Sequence, residues 1–201
     1  LAYRTGIFPW YSEDSPLLWW SPDPRCVLFP QDIYVSRRLA RLIRQRRFHL
    51  TCNLAFARVV TACADLRIQN GEATWLISAM QEAYRELHAL GFAHSVEAWD
   101  GDELVGGLYG VSLGRAFFGE SMFSRQTDAS KVAMAMLVEI AEALPLRLID
   151  CQIYTDHLAS LGAREISRTH FQRTLEVALA RPATALGALP RCRADALRWA
   201  A

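Results

Sequence analysis

The sequence is nearly devoid of lysine: Lys131 is the only one among 22 basic residues, and all the others are arginine. Acidic residues are absent between Ile33 and Ala64, glycine is absent between Gly119 and Gly162, and no two cysteines stand at CxxC spacing. Each absence removes a class of protein. The 5 cysteines are scattered and odd in number, which argues against a zinc site and against a disulfide framework, so no metal is expected. No apolar run approaches the roughly 20 residues that a membrane-crossing helix needs. The first residues show no basic segment followed by an apolar one, so no secretory signal is in view. A soluble, cytoplasmic chain without a membrane partner is the expectation.

What is present fits an enzyme-sized globule. A length of 201 residues, 52% hydrophobic and 21% charged, allows one domain with a sizeable core and a small appendage. The opening stretch, rich in aromatics and proline, closes at Ser21-Pro22-Asp23-Pro24, where two prolines disfavour helix and mark a boundary. Residues 1–24 are therefore read as one small unit and 25–201 as the main domain.

Beyond that boundary the pattern predicts a short strand at Arg25 to Phe29, a helix capped by Ser36 to about Gln45, and a strand at Phe48 to Cys52. A helix capped by Asn53 runs to about Ala64, and an amphipathic helix from Ile77 to Leu90 ends at Gly91. The period then becomes two: His94 to Trp99, Glu103 to Ser112 and Ala116 to Phe123 read as an antiparallel meander. A helix from Asp128 to about Leu144 stops at Pro145. Then come a buried strand to Gln152, a short helix, a strand at Ala163 to Ile166 and a helix from Thr169 to Ala180. The Ala-rich tail from Ala183 reads as irregular. The fold class is α/β, with a mixed, mostly antiparallel central sheet flanked by helices.

Two segments carry polar groups inside apolar runs: Phe118-Gly119-Glu120-Ser121-Met122-Phe123-Ser124-Arg125 and Leu148-Ile149-Asp150-Cys151-Gln152. A carboxylate in such a run must be hydrogen-bonded, paired or used, because a dry unpartnered charge costs several kcal/mol. Asp150 and Gln152 alternate on one strand, which places them on the same face, with Cys151 pointing away. Their bland reading is a satisfied hydrogen-bonded pair; that of Glu120 is an ion pair with Arg125 or Arg115. Cys151 itself reads as a small apolar residue before a nucleophile.

The net charge of +1 says little, but its distribution says more. Arg37, Arg41 and Arg44 repeat at i, i+4 and i+7 opposite the apolar stripe of Leu39, Leu42 and Ile43. Guanidiniums in a row without carboxylates suit phosphate contact, against the alternative of a solvated helix face.

These segments stand in order with Gly6-Ile7-Phe8-Pro9-Trp10, Trp19-Trp20-Ser21-Pro22-Asp23-Pro24-Arg25, Thr74-Trp75-Ile77, Glu103-Leu104-Val105-Gly106-Gly107 and Asp156-His157-Ala159-Ser160-Leu161-Gly162-Ala163. Over nearly its whole length the chain resembles the leucyl/phenylalanyl-tRNA–protein transferases, and its element order resembles the acyl-CoA N-acyltransferase fold. Members of that family usually extend a few dozen residues ahead of this point, so residues 1–24 are read as the remnant of a small N-terminal domain.

The resemblance implies transfer of Leu or Phe from Leu-tRNA or Phe-tRNA to the α-amine of proteins that begin with Arg or Lys, marking them for N-end-rule degradation. No cofactor is expected, because the ester is already activated and the sequence shows no phosphate loop or ligand cluster, and a monomer is expected. Asp150 and Gln152 would form the reaction centre, and Glu120 would receive the acceptor's cationic side chain. Trp10 and Trp75 would hold the terminal adenosine by stacking, with Trp19 and Trp20 structural. Met136, Leu137 and Ile140 can line an apolar pocket for the donor side chain, against the alternative that this helix face is simple core, and Arg37, Arg41 and Arg44 would grip the tRNA. His157 reads as capping or packing the short helix, with a general-base role as its alternative.

Two other functions compete. An acyl-CoA N-acetyltransferase shares the strand order but needs a glycine-containing loop to cradle pyrophosphate. Here the turn from Ser124 to Ser130 has none, and Asp128 places negative charge where phosphate would sit. A non-catalytic RNA-binding module would use the arginine row and leave Glu120, Asp150 and Gln152 unexplained.

Overall fold

Ladder geometry decides where this molecule opens. The computed structural model describes residues 1–12, 15–69, 71, 75–143 and 146–180. In chain order the elements are β1 (Phe8–Pro9), β2 (Trp19–Trp20), β3 (Arg25–Leu28), α1 (Arg37–Arg44), β4 (His49–Cys52), α2 (Phe56–Gln69) and α3 (Ser78–Ala89). They continue with β5 (Ala93–Asp100), β6 (Glu103–Leu113), β7 (Ala116–Ser124), α4 (Ala129–Ala143), β8 (Leu148–Gln152), α5 (Asp156–Ala159), β9 (Arg164–Ile166) and α6 (Arg168–Leu179).

Strands β3 to β9 form one sheet in the order β4-β5-β6-β7-β8-β3-β9, while β1 and β2 pair separately. The architecture is mixed α/β. Every neighbouring pair is antiparallel except β7 and β8, which run parallel because α4 carries the chain back between them. That parallel ladder stops early, at Phe118 opposite Asp150. Beyond this point the two strands no longer pair with each other.

Both strands also carry an extra residue there. Tyr109 faces Ser121 and Gly110 faces Gly119, so Glu120 is the unpaired residue of a bulge. Cys26 faces Gln152 and Val27 faces Asp150, so Cys151 is another. Bulges re-aim side chains and end regular pairing. Gly110 belongs to the same adjustment: a Cβ there would lie 2.1 Å from the Phe118 carbonyl oxygen.

The sheet is buried on both faces. One face packs on α1 and α4 through Leu39, Ile43, Val132 and Leu137; the other packs on α2, α3 and α6 through Phe56, Val60, Tyr84 and Phe171. Ser36 caps α1 by accepting from the Leu39 N–H at 3.2 Å.

Two expectations need correction. Asn53 does not cap α2, which starts at Phe56 and runs to Gln69; Asn53 takes φ +58 and its side-chain oxygen accepts from the Ser95 N–H at 3.0 Å. The aromatic opening stretch contains the β1–β2 pair, which its prolines concealed. The Pro145 stop, Leu144 and the tail from Ala183 lie outside the described residues.

Candidate active site

Where β7 and β8 part, side chains from both faces of the sheet line a cavity of about 560 Å³. Glu120 and Met122 come from β7, Gln152 from the end of β8, Trp75 from the approach to α3, and Met134 and Leu137 from α4. Phe8 and Trp10 close one side.

Glu120 is only 8% exposed, yet it has no ion pair among the described residues. Arg125 instead reaches the Leu104 carbonyl at 3.4 Å and lies over Phe123. The Tyr84 hydroxyl donates to Glu120 Oε2 at 2.6 Å, and the Tyr3 hydroxyl lies 3.2 Å from that of Tyr84. Oε1 has no partner. Burial raises the Glu120 pKa to about 7, against the opposing pull of Tyr84, Tyr3 and Gln152. Around neutral pH this carboxyl is therefore poised between acid and anion.

Asp150 is handled differently. It is fully buried, and Arg25 grips it with both arms of the guanidinium: Nε donates to Oδ1 at 2.8 Å and an Nη donates to Oδ2 at 2.6 Å. Asp150 Oδ1 also accepts the backbone N–H of Gln152 at 2.9 Å. Gln152 takes φ +64, a left-handed conformation that costs a residue with a Cβ roughly 1–2 kcal/mol. This breaks the two-residue alternation, so Gln152 lines the cavity and Asp150 does not. The amide Nε2 of Gln152 is buried without a partner.

Cys151, expected to face away, also lines the cavity. Its thiol is held protonated, first by its contact with Cys26 and then by burial, both of which push the pKa well up. That environment opposes a thiolate nucleophile. Cys26, Cys63 and Cys151 are free thiols, whereas Cys52 is in a disulfide.

The two expected tryptophans meet at this cavity. Trp10 is 39% exposed and its ring tilts against Trp20 at 5.8 Å, while Trp75 is buried edge-on to Tyr84. Trp20 holds the lip by donating from Nε1 to the Trp10 carbonyl at 2.7 Å. On α4, Leu137 lines the cavity, but Met136 and Ile140 do not; Met134 and Ser130 share the Leu137 face instead. Met136 is packed in the core, and Ile140 faces a separate small cavity beside Cys52 and His94. The helix is apolar nearly all round, so hydrophobicity alone did not select its inward face.

Arg37, Arg41 and Arg44 are exposed on α1 with no ion pair among the described residues, away from the cavity. Their neighbours are neutralised: Arg38 pairs with Asp128 at 3.0 Å and Arg47 takes Asp100 in a two-pronged contact. His157 lines the cavity with its Nε2 buried and unpartnered, and burial lowers its pKa. Thr155, not His157, caps α5. Among the described residues no group of three His, Cys, Asp or Glu side chains could hold a metal ion, and no helix is long and apolar enough to cross a membrane.

Sequence reasoning missed Arg25, Tyr84 and Tyr3. Arg25 had the same signal as the two carboxylates, a charge opening an apolar strand, and was passed over.

The cavity thus combines an apolar lining with two buried polar side chains, Glu120 and Gln152, and comparison with known proteins gives the family of the chain. Residues 27–176 match the family model of leucyl/phenylalanyl-tRNA protein transferase, and residues 1–23 match that family's N-terminal domain. The chain is 57% identical to the leucyl/phenylalanyl-tRNA–protein transferase of Syntrophobacter fumaroxidans over 171 residues, which cover 85% of this chain and 73% of the relative. It is 56% identical to that of an Anaeromyxobacter species over 181 residues, covering 90% and 77%. Against that of Ectopseudomonas mendocina the figures are 53% over 184 residues, 92% and 81%. The chain is thus an aminoacyltransferase. It belongs to the leucyl/phenylalanyl-tRNA–protein transferase family.

Proposed function

We propose that the enzyme moves Leu or Phe from the 3′ ester of Leu-tRNA or Phe-tRNA to the α-amine of proteins that begin with Arg or Lys. The observation that supports this reading is that Glu120 and Gln152, neighbours at one apolar cavity, each keep a buried polar atom, Oε1 and Nε2, without a hydrogen bond within the protein. Buried polar atoms are rarely left so, and ligand groups would complete both.

The acceptor's guanidinium or ammonium meets Glu120, and the charge of that ligand draws the carboxyl into its anionic form. The donor side chain lies against Met122, Met134, Leu137 and Ile149, an apolar surface that discriminates weakly between Leu and Phe. Trp10 and Trp75 stack on the terminal adenosine. Gln152 holds the acceptor amine or the ester carbonyl in line.

The chemistry asks little of the protein. An α-amine has a pKa of about 7.7–8.0, so a useful share is neutral near pH 7. Its nitrogen attacks the ester carbonyl, the carbon–oxygen bond to the ribose breaks, and the amine proton ends on the ribose hydroxyl. Orientation supplies much of the rate enhancement of such a step. Arg37, Arg41 and Arg44 dock the tRNA through its phosphates. The division at residue 24, the monomeric and cytoplasmic state, and the role in N-end-rule degradation belong to the same proposal.

The test is a transfer assay with charged Leu-tRNA and a peptide beginning with Arg, beside one beginning with Glu. Peptide bond formation on the first alone is expected. Tight tRNA binding without transfer would leave an RNA-binding module, and turnover of acetyl-CoA would leave an N-acetyltransferase.

A further inference from the structure

The motif that ends in Arg25 has no place in the transfer reaction as described, yet its geometry leads to the reacting end of β8. The Arg25 side chain is 1% exposed. Its guanidinium lies between two rings, with CZ 4.7 Å from the Phe8 centroid and 4.5 Å from that of Phe171. Its Nε–Nη edge meets both oxygens of Asp150, while the other Nη is buried without a partner. A planar fork sandwiched in this way fixes the plane of its carboxylate as well as its position.

Asp150 in turn fixes Gln152. Oδ1 receives the Arg25 Nε–H and the Gln152 backbone N–H together, at 2.8 and 2.9 Å. The left-handed backbone at Gln152 is therefore held by an acceptor that is itself held by Arg25. Such conformations persist where the surroundings over-determine them. Without this anchor Gln152 would relax toward ordinary strand geometry, and the alternation of β8 would no longer point its amide into the cavity.

We propose that Arg25 is a positioning residue of the transfer centre, clamping Asp150 so that Asp150 holds the Gln152 backbone and aims its amide at the reacting groups. Asp150 is then an anchor walled off from the cavity, with no direct contact to the amine. Phe8 adds a second link: it lies over Arg25 and lines the cavity beside Trp10, so the lip that would receive the adenosine and the residue that would orient the amine share one support.

This inference rests on the transfer reading, so its test has one arm that needs no activity. In the full-length protein, the Gln152 backbone amide should exchange slowly with deuterium by NMR. Arg25→Lys, which keeps the charge and loses the fork, should speed that exchange about tenfold or more while the amides of β5 and β6 keep their rates. Unchanged exchange at Gln152 would overturn the clamp even if transfer itself were absent.

The second arm is a double-mutant cycle on transfer. Arg25→Lys should lower kcat by about tenfold to a hundredfold with the donor KM within about twofold. In a Gln152→Ala background the same change should cost less than about twofold, because its route is already cut. Equal losses in both backgrounds would show general support of the core and would overturn the proposal. Should Arg25→Lys fail to fold, Phe171→Leu loosens the sandwich from the side away from the cavity. Its smaller kcat loss should vanish in the Gln152→Ala background in the same way, and persistence of the loss there counts against the clamp.

Discussion

Two carboxyl groups stand on neighbouring strands, about equally hidden from solvent, and they live under opposite electrostatic regimes. Asp150 has a guanidinium on both oxygens and a backbone amide besides. Glu120 has tyrosines, one free oxygen and a pKa raised to about 7 by burial. The difference teaches that burial by itself assigns no role. A carboxylate whose bonding capacity is filled by the protein is part of the scaffold, whereas one beside a cavity with an oxygen left unbonded is a candidate for work.

The strongest way to break the comparison is to unclamp the filled carboxylate. Asp150→Asn removes the charge and leaves Arg25 buried without its counter-ion, which costs about 3–5 kcal/mol in pairs of this kind. Thermal unfolding should show a clear drop. In protein that stays folded, turnover should fall by about a hundredfold or more while tRNA affinity changes little, if binding and chemistry use different residues as proposed. Undiminished turnover in steady-state assays would remove Asp150 from the mechanism.

Changing the vacant carboxyl should act on the acceptor instead. Glu120→Gln should raise KM for an Arg-initiated peptide by about tenfold or more and leave donor use nearly unaltered. Peptide titrations that give wild-type KM for this variant would take Glu120 out of acceptor recognition.

The titration of Glu120 sharpens the contrast with a smaller effect. Acceptor KM should rise as pH falls through about 7, where the carboxyl takes up its proton, and this dependence should be missing in Glu120→Gln. Stability should move the other way. Because the folded-state pKa lies above the unfolded one, the protonated carboxyl contributes stability in full below about 4.5, and that contribution is lost as pH rises through about 7. Glu120→Gln should therefore gain on the wild type in melting temperature between those limits and above. A KM flat across pH 6–8 (about one unit either side of neutrality) in the wild type contradicts the poised carboxyl.

The exposed arginines should show the smallest effects, one at a time. Each Ala substitution at Arg37, Arg41 or Arg44 should weaken tRNA binding and flatten the log–log salt slope by roughly 0.7–0.9 per lost phosphate contact. Use of a minimal aminoacyl-adenosine donor should hardly change. If the triple variant keeps its salt slope, the row is only a solvated surface.

The sequence made the regular parts of this molecule legible because regular structure repeats. The meander of β5, β6 and β7 follows its two-residue period, α1 its cap and stripe, and α3 its glycine stop, within a residue or two of the observed ends. The Glu120, Asp150 and Gln152 positions stood out as polar groups in apolar runs. Their division of labour did not, since it turns on two bulges and a left-handed residue that interrupt the period on which the reading relied. The inward face of α4 was lost for the opposite reason, an excess of apolar choices. Arg25 also stands out as a charge opening an apolar strand, but nothing in a linear string says that it will meet an aspartate 125 positions away.

That separation also sets a timetable. The strands β5 to β7 pair with near neighbours along the chain, whereas β3 waits at the sheet's far side for β8 and β9 to be made. Contacts between distant segments form late, after their loop entropy has been overcome. A nascent chain should thus acquire its meander first and its reacting centre last, with Arg25 still hydrated until the ribosome has released the final strands. In refolding followed by pulsed hydrogen exchange, amides of β5 and β6 should become protected before those of β3, so that the molecule is shaped before it is armed.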